Sequence, residues 1–230
     1  VVGHRGTGKT SLVEALLYQT EEINRLGTVE AGTTVGDWDE DEQKRRMSIS
    51  LTLAHTTWQG RKINLIDVPG DPSFQGEARC ALRVVEGALV VVNGVMGLEV
   101  GTARVKHLAV DLGLARVLFV NMLDRERADF YRTLAQIQEQ FSSRCVAVHL
   151  PIGAEHELSG IVDVLHMCAY TTPNGGKEAE PSAIPDEMLE LTQQYREKLR
   201  DEVVQTDEAL MQQYLGGEEL DPHAVASALK

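Results

Sequence analysis

Residues 3–10 read GHRGTGKT, and how this octapeptide folds decides the rest of the chain. It matches GxxxxGK[ST], a pattern that average residue usage would produce in a chain this long about once in a hundred. A Val-Val strand end precedes it and the helical LVEALLYQ follows. That strand–loop–helix setting is the one in which such a loop cradles phosphates. Gly3, Gly6 and Gly8 let the backbone wrap tightly and aim N–H groups inward. Those groups, with the helix N-terminus behind them, bind phosphate oxygens. Lys9 adds a point charge between the β- and γ-phosphates, and the Thr10 hydroxyl takes one position on an octahedral Mg²⁺. The nucleotide-binding segment is therefore Gly3, His4, Arg5, Gly6, Thr7, Gly8, Lys9, Thr10 and Ser11. The bland alternative is a glycine-rich turn that binds nothing.

Downstream, short β-branched runs alternate with helical patterns through residue 149. Strands are predicted over 49–58, 62–68, 88–93, 116–121 and 145–149, with helices over 9–19, 75–85, 100–112 and 127–141. Such alternation implies crossover connections and an α/β fold with a mostly parallel, doubly wound sheet. Only Gln59-Gly60-Arg61 separates the first two strands, too short a link for anything but an antiparallel hairpin. The reading is one antiparallel edge strand on a parallel sheet. After about residue 149 the pattern changes to a short hairpin or two and a Pro- and Gly-rich tip over 173–185. A helix over 186–204 follows, with Asp186 in its N-cap region, then two shorter helices split by Gly216-Gly217. The division is 1–149 for the nucleotide-binding domain and 150–230 for a small α+β insert.

Two further motifs follow the octapeptide in order. In NLIDVPGDPSF, residues 64–74, an apolar strand ends in Asp67 and a tight turn. Behind a phosphate loop, Asp67 reads as the acid that holds Mg²⁺ through water. The Gly70 N–H then bonds the γ-phosphate, so the turn shifts when that phosphate leaves. In FVNMLD, Asn121 and Asp124 stand at NxxD spacing after a strand, with Met122 and Leu123 between them. A carboxylate accepts two bonds from the N1–H and the 2-amino group of guanine, and adenine would leave it unpaired. Asn121 ties the base or the phosphate loop in place. DxxG and NxxD are each common in turns; their order behind the phosphate loop carries the argument.

Charge and cysteines narrow the class. Net charge is −13. Residues 1–149 hold 19 acids against 17 bases and residues 150–230 hold 16 against 5. The second part lacks the clustered Lys and Arg that displace counterions from free DNA. It is a solvated face or a docking face for a basic partner. Cys80, Cys145 and Cys168 form neither a disulfide framework nor a CxxC metal spacing, which fits a reducing cytoplasm. The seven histidines are scattered along the chain, and zinc is not indicated. The longest apolar run is too short for a membrane span, and no signal peptide opens the chain. Trp38 and Trp58 are assigned to cover core. The basic run Lys44-Arg45-Arg46 is a solvated loop or a contact to RNA phosphate. The abrupt VVGHRG start suggests a segment of a longer polypeptide.

These motifs resemble the translational GTPases, and among them elongation factor G and its paralogues. GTTVGDWDEDEQKRRMSIS is similar to that family's first switch, and DVPGDPSFQGEARCALRVVEGALVVVNGVMG to its second switch, helix and next strand. PIGAEHELSGIVDVLHMCAY and YLGGEEL are similar to the insert in its G domain. The resemblance implies GTP and GDP as ligands and Mg²⁺ held by Thr10, Ser48 and Asp67. It further implies the ribosome as a partner; the chain is read as a cytoplasmic monomer. It implies that the chain stops before the last guanine-contacting motif.

The departures are specific. Gly6 replaces an acid of the family's phosphate loop, Ser48 stands for the first-switch Thr, and Met122 stands for the lysine of NKxD. Met keeps the packing and loses the charge. Asp71 stands where the family has its catalytic His after DxPG. Facing the γ-phosphate, an Asp costs on the order of a few kcal/mol if poorly solvated, which slows chemistry about ten- to a thousandfold. Pointing outward, it only opens a turn; the reading favours outward placement. Both predict weak intrinsic hydrolysis with binding retained. Two rival readings stay open: a hydrolysis-deficient, nucleotide-gated binding module, and a P-loop ATPase in which NxxD is coincidental.

Overall fold

Two valines and a glycine start the chain, and Val2 and Gly3 enter a parallel ladder as strand β1 (Val2–Gly3). The computed structural model describes residues 1–171, 179–217 and 220–229. By compactness the chain divides into Val1–Met122 and Leu123–Lys230.

In the first unit β1 leads through the glycine loop into α1 (Lys9–Gln19). A short helix, α2 (Glu40–Arg45), is closed by a capping box between Asp39 and Glu42. A hairpin follows, β2 (Thr52–Trp58) with β3 (Arg61–Asp67), then α3 (Gln75–Leu82), β4 (Gly87–Asn93), α4 (Val100–Asp111) and β5 (Ala115–Asn121). The parallel sheet has the order β1-β4-β5. Val90, Val91 and Val92 have no exposed surface, the signature of a strand covered on both faces. The α/β fold with a parallel sheet and antiparallel strands is as the residue pattern predicts.

Details differ for physical reasons. The hairpin turn is Gln59-Gly60, with φ of +48° and +73°, so the loop is two residues long and Arg61 already pairs with Trp58. The ladder starts at Thr52 and not at residue 49, because side chains take the earlier backbone donors. The N–H groups of Ile49 and Ser50 donate to Glu42, and that of Leu51 to Glu77. The hairpin forms a two-stranded sheet, and the amino group of Val1, just before β1, donates to the Ile66 carbonyl of β3. Trp38 and Trp58 do not cover core: they are 74% and 54% exposed.

The second unit begins with α5 (Phe130–Gln140), capped by Asp129. Strands β6 (His149–Ile152), β7 (Gly160–Asp163), β8 (Cys168–Thr171) and β9 (Pro181–Ser182) form an antiparallel sheet in sequence order. Helices α6 (Asp186–Val204), α7 (Glu208–Leu215) and α8 (Pro222–Ala228) complete it. Asp186 is the first helical residue, behind Pro185. The strand predicted over 145–149 begins only at His149 and pairs antiparallel with β7. Upstream of it the Cys145 carbonyl is taken by the Gln138 side chain. Leu134 of α5 and Ala147 share a core with Leu150, Val162, Val164 and Leu199. Through that shared core, residues ahead of the composition change at 149 belong with the second unit. The part of the Pro- and Gly-rich tip at 173–178, and residues 218 and 219 just after Gly217, lie outside the described residues.

Asp163 holds the turn after β7. It accepts from the N–H groups of Leu165 and His166, each at 2.9 Å, and meets His166 Nδ1 at 2.7 Å. Burial pushes its pKa up, but the bonds from His166 outweigh that and keep the carboxyl below its usual range. A depressed carboxyl contributes stability above its unfolded pKa and loses it as pH falls through the folded value. Asp163→Ala is expected to cost about 2 kcal/mol at neutral pH. The gap to the unaltered chain should close below about pH 4 in urea denaturation.

Candidate functional site

Helix α1 has no side-chain cap at its N-terminus; its N-cap is Gly8, at φ +84°. The first N–H groups of the helix therefore point, without side-chain partners, into the loop before it, the arrangement that binds anions. Glycine is required at this cap twice over. The backbone is left-handed, and a Cβ would stand 2.4 Å from Asn121 Nδ2. That nitrogen donates to the Thr7 carbonyl at 2.9 Å, so Asn121 fastens the phosphate loop from the end of β5. Met122 comes next at φ +61°, with its methyl group against Gly8. Behind the loop, His4 faces the start of α4: its Nδ1 accepts from the Gly101 N–H and its Nε2 lies 3.3 Å from Glu99.

Lys9 is buried, and its ammonium donates to the His4 carbonyl at 2.9 Å. Burial lowers its pKa, with Asp67 and Asp37 opposing the shift. Gly70 rests directly on this arrangement. A Cβ there would stand 2.4 Å from Lys9 Nζ and 2.7 Å from both the Arg5 nitrogen and the His4 oxygen. The turn after β3 therefore touches the phosphate loop backbone to backbone, and no larger residue fits. Arg5, Gly6, Ser11 and Gly70 line one cavity of about 210 Å³ with Lys9 and Thr10.

Four oxygen-bearing side chains form a chain: Thr10, Ser48 and Asp37 line the cavity, and Asp67 lies behind Thr10. Thr10 Oγ1 donates to Asp67 Oδ2 at 2.6 Å and lies 3.1 Å from Ser48 Oγ, which donates to Asp37 Oδ1 at 2.7 Å. Each acid keeps a second oxygen, Asp67 Oδ1 and Asp37 Oδ2, that is buried without a hydrogen-bond partner. Burial raises the pKa of both carboxyls. An unpaired buried carboxylate oxygen is costly unless a cation completes it. Among the described residues no group of three His, Cys, Asp or Glu side chains could hold a metal ion. Two carboxylates with hydroxyls suit Mg²⁺, which keeps waters and shares phosphate oxygens. The donor set fits that ion and does not resemble a zinc site.

Thr10, Ser48 and Asp67, singled out in the sequence, thus come together. Asp37 joins them although the motif spacing does not mark it; its only signal is its place in the GDW stretch of the first switch. Asp71 is neither in open solvent nor unpaired over the cavity it borders. Its Oδ1 accepts from the Ser73 N–H at 2.9 Å, its Oδ2 lies 3.4 Å from Arg5 Nη1, and its side chain is 18% exposed. The Ser73 N–H, and behind it the Arg5 guanidinium, hold its carboxyl below the usual range. Leu123 and Asp124 belong to the second compact unit, where the exposed Asp124 carboxylate stands 3.8 Å from the Arg125 guanidinium. An exposed pair at that distance constrains little.

A raised carboxyl has the opposite linkage to Asp163. Its penalty is absent below the unfolded pKa and grows as pH rises through the folded value. Asp37→Asn keeps the Ser48 contact and removes the charge. It should stabilise the ligand-free chain by about 1 kcal/mol at neutral pH, with no gain near pH 4. Thermal unfolding across that range, without Mg²⁺ or nucleotide, measures it; a loss of stability at pH 7 would contradict the cation-site account.

The Elongation factor Tu GTP binding domain family matches the chain over residues 1–230. The crystal structure of ttk003000868 from Thermus thermophilus is similar at a TM-score of 0.91 and 36% identity, over 99% of this chain. The chain spans 34% of that protein's length. Phosphate loop, switch turn and base motif stand in one order on a fold shared with these proteins. The chain belongs to the elongation factor Tu GTP-binding domain family, as an elongation-factor-G-like GTP-binding domain of a translational GTPase.

Proposed function

We propose that this domain is a Mg²⁺-dependent switch between GTP and GDP that acts on the ribosome during translation. The observation that supports it most is the pair of orphaned oxygens on Asp67 and Asp37, beside the Thr10 and Ser48 hydroxyls and under the glycine loop. Thr10, Ser48 and Asp67 would hold Mg²⁺, with Asp37 steadying Ser48. The ion, when bound, would neutralise phosphate charge. Lys9 would exchange the His4 carbonyl for phosphate oxygens, and the Gly70 N–H would register the γ-phosphate. Asp124 would read the guanine edge, and Asn121 would hold the loop. In this reading residues 150–230 form an insert of the elongation factor G type, and the protein works as a cytoplasmic monomer. No helix among the described residues is long and apolar enough to cross a membrane.

Hydrolysis is proposed to be weak without a stimulating partner. Asp71 differs from a water-orienting His: its carboxylate is held towards Ser73 and Arg5 and would stand as an anion beside the γ-phosphate. The same observation favours a second reading, a nucleotide-gated binding module with negligible hydrolysis. Single-turnover GTP cleavage with and without ribosomes separates the two; fast cleavage by the free chain would contradict both.

Guanine preference has its own test. Asp124→Asn is expected to move preference from guanine towards xanthine nucleotides by at least about tenfold. The measurement is displacement of fluorescent GDP, with and without Mg²⁺ and against ATP. ATP binding as tight as GTP binding would sink the reading and favour an ATPase.

A further inference from the structure

The phosphate loop and the switch turn each place one charged side chain at the cavity rim, Arg5 and Asp71, and these two face each other. The contact is not a product of chance neighbours on a surface. The backbones beneath are fixed: the Arg5 nitrogen lies 2.7 Å from where a Gly70 Cβ would stand. Asp71 is held in its own turn by the Ser73 N–H at Oδ1, and its Oδ2 faces the guanidinium at 3.4 Å. Arg5, with its side chain 60% exposed, has slack to follow that carboxylate.

An aspartate at this rim is an anion beside the place proposed for the γ-phosphate. Left alone it would select against a triphosphate and leave a diphosphate little affected, because the extra charge lies at the end of the longer ligand. A guanidinium presents five N–H donors in a planar fork and stays charged at all ordinary pH values. We infer that Arg5 is a specificity-determining residue that neutralises Asp71, and that the pair together sets how well this chain tolerates a nucleoside triphosphate relative to a diphosphate. Arg5 is needed, in this account, only because Asp71 is there. The inference rests on the proposed guanine-nucleotide binding and adds a partner for a rim anion that opposes it.

The experiment measures the affinities of a non-hydrolysable GTP analogue and of GDP, both with Mg²⁺, by displacement of fluorescent GDP. The variants are Arg5→Gln, Arg5→Lys, Asp71→Asn and the double Arg5→Gln/Asp71→Asn. Arg5→Gln is expected to lower the triphosphate-to-diphosphate affinity ratio about tenfold. The double variant should return the ratio to within about threefold of the unaltered chain, and Arg5→Lys, which keeps the charge, should hold it there. The Arg5→Gln effect should shrink in high salt, as an exposed charge effect must.

A ratio that does not fall in Arg5→Gln overturns the inference. So does a fall that persists undiminished in the double variant, which would mean that Arg5 serves the phosphates or the loop directly. Using the ratio cancels losses common to both nucleotides, and measurable GDP binding shows that each variant has folded. A chain that binds no guanine nucleotide at all, before any substitution, refutes the proposed function and the inference with it. Tight binding without the suppression refutes the inference alone.

Discussion

A single buried hydrogen bond, from Thr10 to Asp67, joins the start of α1 to the end of β3 and organises everything around it. It brings a helix N-terminus, which attracts anions, next to a carboxylate that burial would otherwise neutralise. Neither partner is content in isolation. The helix leaves N–H groups without side-chain partners, and Asp67 leaves one oxygen unsatisfied. A phosphate answers the first deficit and a cation answers the second. A magnesium nucleotide carries both.

The constraint propagates through contacts that glycine alone permits. Gly8 lets Asn121 close on the Thr7 carbonyl, and Gly70 lets the switch turn lie on the backbone of the loop. Three segments distant in sequence are thereby locked at one end of a parallel sheet, where such folds carry ligands. The buried carboxylates of Glu14 and Glu42 extend the same logic to the first switch. Glu14 accepts from the N–H groups of Gly27 and Val35, and Glu42 from those of Ile49 and Ser50. This long connection has little sheet or helix of its own. Side-chain acceptors satisfy its backbone instead.

The octapeptide and the parallel strands were legible because their signals are local. A glycine loop between strand and helix, and continuous valine runs, state their own geometry. What the sequence hid was long-range. Asp37 lies eleven positions before Ser48 and meets it only when the first switch folds back. The late start of β2 depends on Glu42 and Glu77, neither of which belongs to a strand pattern. Residues 145–148 look like strand by composition, yet Gln138 takes the Cys145 carbonyl and the pairing waits for His149. The tryptophans misled because aromatic residues are more often covered, and here they are exposed. The pairing of Arg5 with Asp71 was invisible for the same reason as Asp37: the two are 66 positions apart.

In the proposed function the acid pair takes up a cation and a phosphate together. Proton release on binding tests it most directly. Burial favours protonation of Asp67 and Asp37, and a bound cation requires their carboxylates. Calorimetric titration of Mg²⁺ and GDP into the chain, in buffers of different ionisation enthalpy, should therefore show protons leaving. The number should grow as pH is lowered from about 7 to about 5 and fall in Asp67→Asn. GDP binding of the same affinity in EDTA, with no proton release at any pH, would contradict the account.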